Sequence, residues 1–166
     1  MRVRLALAVI AAASLATTAF ASTKPNPSMF LRVQAARHHV DLTLIASDGT
    51  SNNGFNFDGY GRGELTVTVP VGWKMTVHCK NDGPERNSCT VVSGPDSTAP
   101  AFRGATTPNP VYGLAAGASA SFTFKASRVG VYRFASMVSG HEQARMYDVL
   151  EVTRTGRPSI SARPGP

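Results

Sequence analysis

Cysteine is scarce in this chain, and so are the motifs of enzymatic chemistry. Cys79 and Cys89 are the only two, which leaves one disulfide or two free thiols. There is no nucleophile elbow, no HExxH and no P-loop, and the four histidines lack the spacing of a catalytic zinc site, so no enzyme is expected. The glycines of GYGRGE (59–64) precede a strand pattern and open no helix, which makes them a turn and not a phosphate cradle. Long apolar runs are also missing. The longest, Leu5 to about Ala16, falls short of the ~20 residues that span a bilayer. Acidic residues number 10 against 17 basic ones, a formal charge of +7. The arginines are spread along the chain and form no run, which argues against a nucleic-acid footprint and leaves solubility and attraction to acidic surfaces such as anionic envelopes.

What is present begins with a leader. Arg2 and Arg4, the short apolar run and the small-residue pattern Ala19-Phe20-Ala21 before Ser22 together predict a secretory signal peptide over 1–21. Losing Arg2 and Arg4 takes the charge from +7 to +5. No cysteine follows the cleavage point, so no lipid anchor is expected there, and the destination is secreted or periplasmic. The remainder is long enough for one domain with a core.

Period-two alternation runs through that remainder. Val40, Leu42 and Leu44 alternate with Asp41, Thr43 and Ile45, giving a first strand inside an N-terminal segment over 22–53. The residues just before it, MFLRVQAARHH (29–39), fit either a helical turn or an extended lead. Further strands are expected at 64–69, 73–80, around Cys89 and Val91, around Phe122 and Phe124, at 132–135 and at 149–152. Short strands punctuated by Gly and Pro indicate an all-β antiparallel sandwich. The tail over 154–166, RTGRPSISARPGP, has almost nothing to bury and is expected to be disordered.

Five motifs stand out: GFNFDGY (54–60), LTVTVPVGWKMTVH (65–78), FRGATTPNPVYGL (102–114), ASFTFKAS (120–127) and SGHEQARMYDVLEV (139–152). Over 54–153 the chain resembles sulfocyanin, a family of blue-copper cupredoxins. The resemblance implies a cupredoxin-like Greek-key β-sandwich and a mononuclear copper site of two imidazoles, a thiolate and a weak axial thioether. Carried across position by position, the early histidine falls on Asn87, the cysteine on Ser136, the second histidine on His141 and the methionine on Met146. Two ligand types survive and two are substituted, including the thiolate.

Ser136 is nearly isosteric with cysteine, but its hydroxyl stays protonated and is a hard, weak ligand. Asn87 offers an amide, and a hydrogen bond from Asn87 to Ser136 is the expected metal-free link between their loops. His141 has two readings, a partly exposed remnant ligand acting weakly with Met146, or a loop histidine held by a backbone carbonyl or by Glu142. Met146 is equally a core filler. His38 and His39, adjacent in an extended chain, face opposite ways and cannot share an ion, while His78 is out of phase with Cys79 and faces solvent.

Pleat parity points Cys79 and Cys89 into the core where the family pattern has apolar residues, so a Cys79–Cys89 disulfide is expected, with two buried free thiols as the alternative. The function expected is a secreted sulfocyanin-like domain with a degenerate type 1 copper site, a non-redox binding or structural module of the cell envelope. The alternative is a copper-binding electron-transfer or copper-carrier protein, as the resemblance implies. No cofactor is expected, with copper as the alternative. A monomer is expected, engaging a protein or envelope partner and no nucleic acid.

Overall fold

The computed structural model describes residues 24–163, so the leader over 1–21 lies outside the described residues. Nine strands follow in chain order: β1 (Leu31–Gln34), β2 (His39–Ala46), β3 (Leu65–Pro70), β4 (Lys74–Asn81), β5 (Thr90–Val92), β6 (Ser119–Lys125), β7 (Gly130–Ala135), β8 (Tyr147–Thr153) and β9 (Ser159–Ala162). They form two sheets, β1-β2-β4-β6 and β5-β7-β8-β3-β9. Among the described residues no helix is long and apolar enough to cross a membrane.

Alternation decides which faces meet. Val40, Leu42, Leu44 and Ala46 of β2 and Met75, Val77 and Cys79 of β4 point inward from the first sheet. Val67 and Val69 of β3, Phe134 of β7 and Leu150 and Val152 of β8 point inward from the second. The two faces close on an apolar core, with Phe102 stacked on Phe124 (5.4 Å) and tilted against Tyr132 (4.6 Å) at one end. The Cys79–Cys89 disulfide is formed and ties β4 of the first sheet to the approach to β5 of the second, across a Cα separation of 6.0 Å.

Two expectations need correction, and one left open is resolved. The sheets are mixed and not purely antiparallel, because β2 runs parallel to β4 and β3 parallel to β8. The chain leaves the first sheet after β2, makes β3 in the second and returns as β4, and such a crossing aligns non-consecutive strands in one direction; alternation reports a strand's face but not its direction. The tail is not disordered over 154–163. Ser159–Ala162 pairs antiparallel with β3, half-buried Ile160 sits against the core, and Arg163 N–H donates to the Glu64 carbonyl at 2.7 Å. An open β3 edge has backbone groups to satisfy, and that demand outweighs the tail's poor apolar content. The lead before β2 combines both forms left open: a 3-10 turn at Pro27–Phe30, capped by Asn26, then β1, then a second turn at Ala35–Arg37.

Candidate functional site

Two loops at one end of the sandwich gather the four positions matched to the copper ligands. Ser136 follows β7 directly, His141 and Met146 lie in the loop that leads to β8, and Asn87 lies between β4 and β5. All four are buried: Asn87 is 1% exposed, Ser136 2%, His141 5% and Met146 0%. His141 is therefore not a partly exposed imidazole. The ring of Phe55 meets it edge-on at 5.3 Å between centroids and covers it.

Hydrogen bonds fill the centre. Ser136 Oγ lies 2.9 Å from Nδ1 of His141 and accepts the backbone N–H of Ser88 at 3.1 Å. Ser88 Oγ, 3.5 Å from Ser136 Oγ, accepts the N–H of Met137 at 2.9 Å. The coherent proton assignment has the Ser136 hydroxyl donating to Nδ1, since Ser88 N–H already occupies it as an acceptor. Burial holds the His141 imidazole below its ordinary range, with Glu85 pulling the other way. The neutral ring that results is the form that accepts the serine proton. Neither a backbone carbonyl nor Glu142 holds this imidazole.

The expected bond from Asn87 to Ser136 is not made; Ser88 makes it instead. The Asn87 amide turns the other way, its Nδ2 donating to Asn81 Oδ1 (2.8 Å), Ser47 Oγ (3.1 Å) and the Glu85 carbonyl (3.2 Å). Three acceptors around one nitrogen fix the amide's orientation and leave Oδ1 buried without a partner. Asn81, fully buried at the end of β4, extends the network to the carbonyls of Glu85 and Leu114 at 2.7 and 3.0 Å. Gly113, at φ +78°, lets the 111–114 loop close on this centre, because a Cβ there would fall 2.8 Å from Val138 Cγ2 and 3.1 Å from the Asn87 backbone. Sequence reasoning missed Ser47, Asn81 and Ser88. The one signal available was the polar run around Asn87 facing a core strand.

The donor set is poor in metal ligands. Both cysteine sulfurs are committed to the disulfide, and no thiolate is present among the described residues. Among those residues no three His, Cys, Asp or Glu side chains stand as a ready cage for an ion.

Two mixed sheets around one core, with the C-terminal loop and the β4–β5 loop meeting at one end, place the protein among the cupredoxins. A sequence profile of the sulfocyanin (SoxE) domain matches residues 26–158, and the chain belongs to that family. Solved structures agree on the fold. Auracyanin from Roseiflexus castenholzii, in a dithionite-reduced crystal, is 25% identical with a TM-score of 0.51 over 68% of this chain and 96% of its own. A blue copper oxidase from Nitrosomonas europaea is 19% identical with a TM-score of 0.54, over 68% of this chain and 38% of its own. A multi-copper oxidase from Pseudomonas thermotolerans is 17% identical with a TM-score of 0.51, over 71% of this chain and 30% of its own. Curated proteins yield no match to the chain.

Proposed function

We propose that this chain is an exported sulfocyanin-family domain in which hydrogen bonds occupy the place of a type 1 copper ion, and that it serves as a non-redox binding or structural module of the cell envelope. The observation that carries this reading is Ser136 Oγ, held between His141 Nδ1 and Ser88 N–H at 2.9 and 3.1 Å. A type 1 site depends on a soft, charge-donating thiolate. Ser136 contributes a protonated hydroxyl, the Asn87 amide nitrogen points at three other acceptors, and Nδ1 of His141 is already engaged. The residues present do not fit that ion, and no redox step is derived through it.

Export is supported by the leader pattern over 1–21. A binding role is supported by Val111 and Tyr112, 67% and 65% exposed on the loop that Gly113 seats against Asn87. Arg86 stacks on the Tyr112 ring at 3.8 Å, so an aromatic and a cation are presented together beside the converted site.

Retention of His141 and Met146 within a copper-protein family favours a second reading, colourless copper carriage through those two side chains. A Cu(II) titration followed by visible absorption tests the first reading, and whether any colourless Cu(II) uptake seen by calorimetry is lost in His141→Ala tests the second. The unaltered chain is expected to develop no intense thiolate-to-copper band, and an Asn87→His plus Ser136→Cys double variant is expected to develop one that saturates at a single copper. An intense saturable band in the unaltered chain would overturn the proposal.

A further inference from the structure

We infer that the outer face of the first sheet carries a second, independent site, formed by His39, Asp41 and His78, for a divalent transition-metal ion of the zinc or copper(II) type. His39 and Asp41 are two apart on β2 and share its outward face. His78 projects outward from β4, paired in register with Thr43, the next outward residue after Asp41. The two histidines therefore flank Asp41 from opposite sides along the parallel strand pair, and both lean toward it. Nε2 of His39 lies 3.3 Å and Nε2 of His78 lies 3.8 Å from the same carboxylate oxygen, Oδ1.

Those separations suit a shared ion. Tetrahedral zinc with bonds of ~2.0–2.1 Å keeps neighbouring ligand atoms ~3.3–3.5 Å apart. The His39 edge already has that length, and the His78 edge is slightly long. As it stands only His39 is hydrogen-bonded to Asp41, and His78 stands off at 3.8 Å, so the trio is not a closed cage and the ion must draw His78 inward. With its side chain 51% exposed, His78 has the freedom to swing. Two imidazoles and one carboxylate are a donor set for zinc or copper(II), leaving further positions open to water.

Two of the three donors have supports in place. Gln34 Nε2 donates to Asp41 Oδ2 at 2.6 Å, turning the other oxygen toward the imidazoles. Nδ1 of His78 is 3.0 Å from Ser121 Oγ on β6, which leaves Nε2 as the nitrogen free for the ion. Such outer contacts orient metal-binding imidazoles and carboxylates. His38 is not part of the site. Its backbone is left-handed at φ 46°, and its ring packs on Trp73 at 5.3 Å. Lys74 stands opposite His39 and Arg32 opposite Asp41, so nearby positive charge weakens but does not block a dication.

Isothermal titration of Zn²⁺ into the full chain tests the assignment. One equivalent is expected to bind saturably, with affinity reduced about tenfold or more by His39→Ala or His78→Ala and by a similar factor by Gln34→Ala. His38→Ala and His141→Ala are expected to leave the isotherm unchanged. In the unaltered chain the ring signals of His39 and His78 should shift together with Zn²⁺ in proton–nitrogen NMR, a readout that needs no variant to fold. Absence of saturable uptake, uptake unaffected by both His39→Ala and His78→Ala, or uptake abolished only by His141→Ala would each overturn it.

Discussion

Ser136 is the residue on which the proposed metal-free site turns, because it satisfies two buried neighbours at once. Ser136→Ala removes the acceptor for Ser88 N–H and the donor to His141 Nδ1, both out of water. Leaving such groups unpaired costs about 1–3 kcal/mol, so the urea midpoint of the variant is expected to fall with an unchanged slope. An unchanged midpoint would mean that the network contributes nothing to the fold. Asp58 supplies a second prediction at this scale. Its Oδ1 accepts Ile45 N–H at 2.8 Å while Oδ2 is buried without a partner, and burial, aided by nearby Asp48, pushes the carboxyl from 3.8 up to about 8. Asp148 is displaced in the same direction by burial. Between those two pH values the folded chain keeps a proton that the unfolded chain has released. Stability is therefore greatest below the ordinary value and declines as pH rises toward 8, by at most about 1.4 kcal/mol per pH unit for each group. Thermal melts from pH 4 to pH 8 should show that decline, and Asp58→Asn should make it shallower. A parallel profile in the variant would remove Asp58 as the source. Neither aspartate was legible beforehand, since nothing in FNFDGY or YDV signals that the acid faces inward.

At the scale of elements, β9 and the disulfide carry the testable consequences. Ending the chain after Gly156 would strip β9 from the edge of β3 and uncover backbone groups beside Val67 and Leu65. The truncated protein is expected to melt several degrees lower and to lose amide-exchange protection in β3, whereas unaltered protection there would show that β9 pairs only loosely. Replacing both Cys79 and Cys89 by alanine is expected to cost about 2–4 kcal/mol in chemical denaturation without changing the fold, because both positions are fully buried among apolar neighbours. The central strands were readable because apolar inward residues alternate with mostly polar outward ones, as in HVDLTLIA and KMTVHCKN, with Ile45 outward and Asn81 inward as the exceptions. β9 was not, since a four-residue edge strand with one apolar side chain looks like any polar tail. Strand direction was unreadable for the same reason that a register slip changes faces and a reversal does not.

For the whole molecule, family membership and the proposed loss of the copper site are separate matters. The motif at 54–60 and the loop parts of those at 102–114 and 139–152 gather at the loop end of the sandwich, and their joint occurrence marked the fold and the positions matched to Ser136, His141 and Met146. The partners of those positions were hidden, because Ser88 reaches Ser136 through its backbone N–H, which no side-chain pattern records. Asp41 was likewise visible as an outward strand residue, while its place between His39 and His78 depends on the β2–β4 register. On this proposal the molecule has a hydrogen-bonded centre at the positions matched to the family's copper ligands, and a cluster of imidazoles and carboxylate on the outer face of the first sheet. Adding one equivalent of Cu²⁺ to the unaltered chain and following side-chain signals by NMR probes both ends at once, since a paramagnetic ion broadens whatever it touches. The account predicts that the signals of His141 and the Met146 methyl group persist while those of His39 and His78 broaden; loss of His141 and Met146 first would contradict it.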